Sequence, residues 1–182
     1  QQAGPVSFPR QAIVVSSDAW LADQFGGLSR FSGNTSEQFK PNSPEATASG
    51  DMQVADQILY ITAGEVNESW NYQYNGNGVY RLKDGVWTNF NRFKYPALDT
   101  LLDFITIAAD NRDGSVWAGS YGGGLLHIKP NDQFEIFKQG TIGNTTGDPL
   151  SYRVSGLAFD NEHNLWIANY GAVQPLRVRK AD

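Results

Sequence analysis

Ile105-Thr106-Ile107-Ala108-Ala109-Asp110, then Asn111-Arg112-Asp113-Gly114, then Ser115-Val116-Trp117-Ala118-Gly119-Ser120, then Tyr121-Gly122-Gly123, then Gly124-Leu125-Leu126-His127-Ile128 is the stretch that decides the fold. Each apolar run is five or six residues long and rich in Val, Ile, Leu and Trp. Runs that short suit half-buried strands and are too short for amphipathic helices. Between them lie Asn, Asp and Gly, the residues that tolerate the left-handed backbone of a tight turn. Beyond Pro130-Asn131-Asp132, Gln133-Phe134-Glu135-Ile136-Phe137 alternates with a period of two and supplies a fourth strand.

The pattern recurs along the chain. Val154 to Asp160, a turn at Asn161-Glu162-His163-Asn164, Leu165 to Gly171 and Pro175 to Val178 form a copy with three strands. Ala12 to Asp23, Gly26 to Phe31 and Glu37-Gln38-Phe39 form an earlier one. The most diverged copy has Val54 to Ile58, Leu59 to Gly64, Gly78 to Leu82 and Val86 to Phe90. Trp20, Tyr60, Trp117 and Trp166 occupy equivalent positions, 40, 57 and 49 residues apart. A repeat of roughly 40 to 50 residues with four short strands defines a propeller blade. The expected fold is therefore an all-β, partial β-propeller of four-stranded antiparallel blades, about three and a half of them, at approximately 11–41, 50–92, 103–139 and 154–182. Each blade has two apolar faces that only a neighbouring blade can cover. The four equivalent aromatics are accordingly expected in the blade core. An arc of this size leaves an apolar face at each end, so it is expected to belong to a longer propeller or to complete its ring with another chain.

Composition narrows the function. The 182 residues are 40% hydrophobic and 18% charged, which is a globular balance, and the net charge of −5 offers no general attraction to nucleic acid or anionic lipid. Without cysteine there is no disulfide, thiol catalysis or thiolate metal site. No apolar run is long enough to span a membrane.

Few residues suggest chemistry. Gly119 to Gly124 joins two strands and is followed by no lysine, unlike a phosphate loop. Asp110 to Gly114 has Arg112 at a ligand position and no closing glutamate, unlike a calcium loop. The two histidines, His127 and His163, have neither metal nor triad spacing. The acid pairs Glu65 with Glu68 and Asp99 with Asp103 fall in loops, where carboxylates are solvated. The sequons at Asn34, Asn67 and Asn144 are read as chance matches. No catalytic residue, metal or cofactor is expected. Glu65 to Asn77 stands apart: it lacks apolar periodicity and alternates aromatic rings with amides. Flat rings beside amide donors and acceptors suit a sugar or a partner's loop. Trp70, Asn71, Tyr72, Tyr74 and Asn75 are the candidate binding residues, with packing of the rings against a neighbouring blade as the alternative.

Asp110 to Leu125, echoed by Phe159 to Ala168, resembles the two-component-regulator propeller repeat. Two further stretches resemble PorZ-like proteins of the type IX secretion system in particular. One is Trp20-Leu21-Ala22-Asp23 with Gly27-Leu28 and Pro41-Asn42-Ser43-Pro44; the other runs from Leu150 to Asp160 into Asn164-Leu165-Trp166. The resemblance covers residues 11 to 180. It implies a bacterial surface or periplasmic protein of a Gram-negative Bacteroidetes species, without enzymatic activity. Its implied partners are proteins of the surface secretion and sortase complex and a glycan or anionic lipopolysaccharide. The second family with this repeat implies instead a periplasmic oligosaccharide-sensing propeller of a hybrid histidine kinase. These 182 residues do not include the remaining blades, the second propeller or the C-terminal secretion-signal sandwich of PorZ-like proteins, so a function needing those parts is not expected of this stretch alone.

Overall fold

The computed structural model describes residues 6–24 and 26–181, which form fifteen strands, one 3-10 turn at Pro96–Leu98 and no α-helix. The chain divides after Ser43 into two compact units.

The first unit is one antiparallel meander of β1 (Pro9–Val15), β2 (Asp18–Asp23), β3 (Gly27–Ser32) and β4 (Thr35–Phe39), adjacent in chain order. The register aligns Ile13, Trp20, Arg30 and Glu37 across one face, with Ala22, Leu28 and Phe39 in the next row of that face. On it, Trp20 stacks on Phe39 with ring centroids 5.7 Å apart, and the Arg30 guanidinium lies 5.7 Å from the indole. Trp20 is only half-buried within its unit, not the sealed core residue expected from its place in the repeat. Asp23, at the end of β2, is buried and accepts the backbone N–H groups of Ser7, Phe8 and Gly26 at 2.8, 2.5 and 2.7 Å.

The second unit begins with the meander β5 (Met52–Ala55), β6 (Ile58–Thr62), β7 (Val79–Lys83) and β8 (Val86–Phe90). Then come β9 (Phe104–Asp110), β10 (Ser115–Gly122), β11 (Gly124–Ile128) and β12 (Phe134–Phe137), followed by the three strands β13 (Tyr152–Phe159), β14 (Leu165–Asn169) and β15 (Leu176–Arg179). The third and fourth sheets are laced together at one point, where Tyr121 and Gly122 of β10 pair antiparallel with Arg153 and Tyr152 of β13. The turn between β5 and β6 corrects the sequence reading, which carried a strand through to Ile58. Asp56 and Gln57 make a two-residue turn with φ of 49° and 64°, the backbone of a tight hairpin, although glutamine is not a residue that advertises one.

Period two determines which faces meet. Val79, Phe90 and Tyr60 from the second sheet meet Ile107, Ala109, Val116 and Ala118 from the third, with Leu98 and Leu101 of the connection sealing the seam. Trp117, which points the other way from β10, joins Ala108 and Leu125 against Val154, Leu165 and Ile167 of the fourth sheet. Polar groups also bridge the sheets: the Ala109 N–H donates to the Gln53 side chain at 2.8 Å and the Gly64 N–H to the Phe104 carbonyl at 2.8 Å.

Tyr60 and Trp117 are buried at 4% and 3% exposure, whereas Trp166 is 39% exposed. The reason is alternation along β14. Leu165 and Ile167 take the seam with the third sheet, so Trp166 between them faces the opposite way, beside Ala158 and Val178. Its indole N–H donates to Asp160 at 2.8 Å. The bonds from Asn164, and after them this one, hold the Asp160 carboxyl down to about 2. Trp117→Ala should therefore destabilise the protein by about 3–5 kcal/mol, against about 1 kcal/mol for Trp166→Ala. Urea unfolding of both variants measures the difference, and equal losses would mean that the two rings are equally buried.

Candidate binding rim

The loop between β6 and β7 is ordered by its own polar groups. Asn67 closes a tight turn: its side-chain oxygen accepts the N–H groups of Ser69 and Asn71 at 3.0 and 2.9 Å, and its carbonyl accepts that of Trp70 at 2.9 Å. Val66 and Tyr72 form a single antiparallel bridge across it. The next stretch is pinned from below by Asp103, which is fully buried. Its carboxylate accepts the N–H groups of Gln73, Tyr74 and Asn75 at 3.1, 2.9 and 2.8 Å. Its own N–H donates to the Asn75 carbonyl at 2.8 Å, and its carbonyl receives the Tyr121 N–H at 2.9 Å. Asp103 is thus an anchor, not the solvated loop acid expected from its surroundings in the chain. Trp70, Tyr74 and Asp103 all have positive φ, at 56°, 59° and 50°, a conformation that such residues keep only when bonds on both sides over-determine it.

The rings form one connected cluster. Trp70 lies nearly parallel to Tyr170, with centroids 5.3 Å apart and planes 5° apart, and its carbonyl accepts the Tyr121 hydroxyl at 3.0 Å. Tyr72 stacks on Tyr74 at 5.8 Å and tilts against Tyr121 at 5.5 Å. In the middle sits Arg153, with its guanidinium 4.7, 5.2 and 6.0 Å from the rings of Tyr72, Tyr121 and Tyr170. Its Nε donates to the Tyr72 hydroxyl at 2.8 Å, and that hydroxyl also meets the Ser151 hydroxyl. The cation and the quadrupoles of three phenol rings hold each other in a partly desolvated place, where such attraction is strongest. Tyr72 reaches this position only because residue 122 is glycine: a Cβ there would lie 2.5 Å from the Tyr72 ring. Burial pushes the Tyr121 hydroxyl up to about 12, against the pull of Arg153.

The five candidates therefore divide. Asn75 is bracketed inside the protein, with its amide nitrogen donating to the Ala63 carbonyl at 2.8 Å and its oxygen accepting the Asn77 N–H at 2.9 Å. Tyr72 is half-buried and holds Arg153. Trp70, Asn71 and Tyr74 are exposed, Tyr74 to 74%. Beside Tyr72 and Tyr74 runs an open groove of about 250 Å³, floored by Gly122 and Gly123 and edged by Thr100, Asp148 and Leu150. Leu150 is 86% exposed at its lip. Sequence reading missed the anchoring role of Asp103 and the part played by Arg153, Tyr121 and Tyr170, which come from four separate stretches. Among the described residues, no group of three or more His, Asp or Glu side chains is gathered as metal ligands.

Sheets of this kind, four-stranded, antiparallel and stacked face to face with two buried seams in the second unit, are the blades of a β-propeller. No protein-family model and no curated protein matches the chain. Among solved structures it is similar to PorZ, an essential bacterial surface component of the type IX secretion system of Porphyromonas gingivalis. The identity is 23% over 97% of this chain and 25% of that one, with a TM-score of 0.64. It is also similar to a streptogramin B lyase, with 14% identity over 97% of this chain and 56% of that one, at a TM-score of 0.49. A third structure is an extracellular domain assigned to a hybrid two component system of B. thetaiotaomicron, with 14% identity over 96% of this chain and 23% of that one, at a TM-score of 0.44. The chain spans about a quarter of the length of PorZ, and the likeness establishes the fold.

Two outcomes are expected at the rim. Asp103→Ala should lower stability by about 3 kcal/mol and speed amide exchange at Gln73, Tyr74 and Asn75, whereas Asp103→Asn, which tolerates the left-handed backbone, should lose less; exchange unchanged in Asp103→Ala would remove the anchor. Burial also raises Tyr60 and Tyr80, so in a spectrophotometric titration the step near pH 12 that disappears in Tyr121→Phe is the one expected for Tyr121. Because the folded value lies above the unfolded one, Tyr121's contribution to stability is complete below pH 10 and is lost as the pH climbs towards 12.

Proposed function

We propose that this chain is a non-catalytic propeller segment that serves as a rigid binding scaffold at the surface or in the periplasm of a Gram-negative bacterium, in the manner of PorZ-like components of type IX secretion. Its contact surface is the rim of Trp70, Asn71 and Tyr74 with the adjoining groove, and its ligand is the saccharide of a surface glycan such as lipopolysaccharide. Protein partners of the secretion and sortase complex would be held on the same scaffold.

One observation carries this reading: an aromatic platform that is both exposed and immobilised. Tyr74 is largely open to solvent, yet its backbone is tied to Asp103 and its ring rests on Tyr72. Side chains ordered before a ligand arrives lose little entropy on binding it, and rings with few rotatable bonds suit such a surface. The Asn71 amide beside the rings supplies a donor and an acceptor for hydroxyl groups, and the Gln73 side chain, whose nitrogen is bonded to the Asn71 and Tyr72 carbonyls, adds an acceptor. The net charge of −5 disfavours contact with phosphate-rich parts of an anionic glycolipid and favours contact with its sugar chain. A surface or periplasmic location agrees with the PorZ likeness, and no described helix is long and apolar enough to cross a membrane.

Tyr74→Ala together with Asn71→Ala is the test, because both side chains are exposed and their loss should change stability by under about 1 kcal/mol. Calorimetric titration with delipidated lipopolysaccharide saccharide should show binding by the parent chain and at least about a tenfold loss in the double variant. Unchanged affinity at unchanged melting temperature would overturn the proposed surface.

A further inference from the structure

At the opposite end of the same sheets, away from the rim, the turn after β9 and the turn after β13 enclose a second cleft, of about 210 Å³. The two histidines of the chain, His127 and His163, both line it, together with Asp110, Ser115, Trp117 and Arg179. Ser115 is 1% exposed, and its hydroxyl finds no protein partner. The His127 Nε2 is likewise buried and without a protein partner. Nine buried side-chain atoms lack a protein partner among the described residues, and these two line the same cleft; each such group costs about 1–3 kcal/mol unless something meets it.

The rest of the cleft is built firmly. Register places His127 directly opposite Trp117, and the imidazole lies on the indole with centroids 4.0 Å apart and planes 10° apart. The Arg179 guanidinium covers Trp117 at 5.1 Å. Arg112 forks onto Asp110, with Nε at 3.1 and 3.2 Å from the two carboxylate oxygens and Nη2 at 2.7 Å from one of them. That hydrogen bonding holds the Asp110 carboxyl below its usual range. His163 reaches across from the fourth sheet to within 4.0 Å of the same carboxylate. Burial pushes the His127 imidazole down, so it is neutral at pH 7 and can donate or accept at Nε2 as its tautomer dictates.

We propose that this cleft is a binding site for a neutral, hydroxyl-rich molecule the size of one sugar ring, received by the Ser115 hydroxyl and His127 Nε2 and flanked by the Asp110–Arg112 pair. The size follows from the volume, which equals about seven waters at ~30 Å³ each and is below the range of drug-sized pockets. Neutrality follows from the lining: the charges of Arg112 and Arg179 are balanced by those of Asp110 and Asp113, and both unpartnered atoms are uncharged. Hydroxyl groups both donate and accept, which suits a serine hydroxyl and a neutral imidazole nitrogen that each work in either sense. Trp117 is too deeply buried to offer a stacking face, so recognition rests on hydrogen bonds. The site is independent of the Trp70–Tyr74 rim.

The test is a titration of protein carrying ¹³C-labelled histidine with neutral monosaccharides and polyols, and separately with inorganic phosphate. The two ring signals are assigned with His163→Gln. At least one neutral sugar should shift the His127 signals saturably in the millimolar range, with phosphate inert. Ser115→Ala should weaken that response about tenfold without lowering the melting temperature, since it removes a hydroxyl that has no partner in the fold. Tyr74→Ala should leave the response intact, which separates this site from the rim. The proposal is overturned if no neutral compound produces a saturable shift, if phosphate shifts His127 in its place, or if Ser115→Ala responds as the parent does; in each case the cleft is a hydrated or anion-accepting space and not a sugar site.

Discussion

Burial of both faces of the third sheet is the constraint on which the second unit depends. A twisted antiparallel sheet of short strands cannot hide its own apolar residues, so alternate residues of β9 and β10 are committed to different neighbours. Val116 and Ala118 go to one seam and Trp117 to the other. Every loop that meets at the rim or at the cleft starts from a strand whose position these two seams determine. The rim and the cleft are consequences of sheet packing more than of any local motif.

At the rim the connections do more than join strands. Asp103 belongs to the segment leading into β9, yet it holds the backbone of a loop from the preceding sheet. Arg153 enters from β13 and ties Tyr72, Tyr121 and Tyr170 into one cluster. Three sheets therefore contribute to one immobile patch of rings. A carboxylate that accepts three N–H groups and a cation enclosed by phenol rings are strong local attractions; the first holds Tyr74 and Asp103, as the Asn67 carbonyl and the Tyr121 hydroxyl hold Trp70, in left-handed backbone conformations. Rigidity of this kind suits a surface that waits for a partner. A flexible tether would have no use for it.

Much of this was legible in the chain itself. Strand length, turn residues and the recurrence around Trp20, Tyr60, Trp117 and Trp166 lead to four sheets, the last with three strands, and the composition of Glu65 to Asn77 marks that loop as unlike its surroundings. Where the reading departs from the structure, the missing information was long-range. Gln57 takes a left-handed turn that its side chain does not announce. Trp166 and Trp117 hold equivalent places in the repeat, yet Trp117 has a sheet against it and Trp166 is 39% exposed. Asn75 looks like Asn71 in the sequence, but its amide is engaged by Ala63 and Asn77.

The sequence by itself determined the all-β class, the four-strand repeat and the loop richest in rings and amides, because each of these is written in residues close together along the chain. Only the tertiary structure decided which rings are exposed, which acid is buried, and that Ser115 and His127 share a cleft with His163. Those outcomes depend on groups far apart in sequence meeting across sheet seams, and the pairing of distant faces is set by packing and carries no local signature.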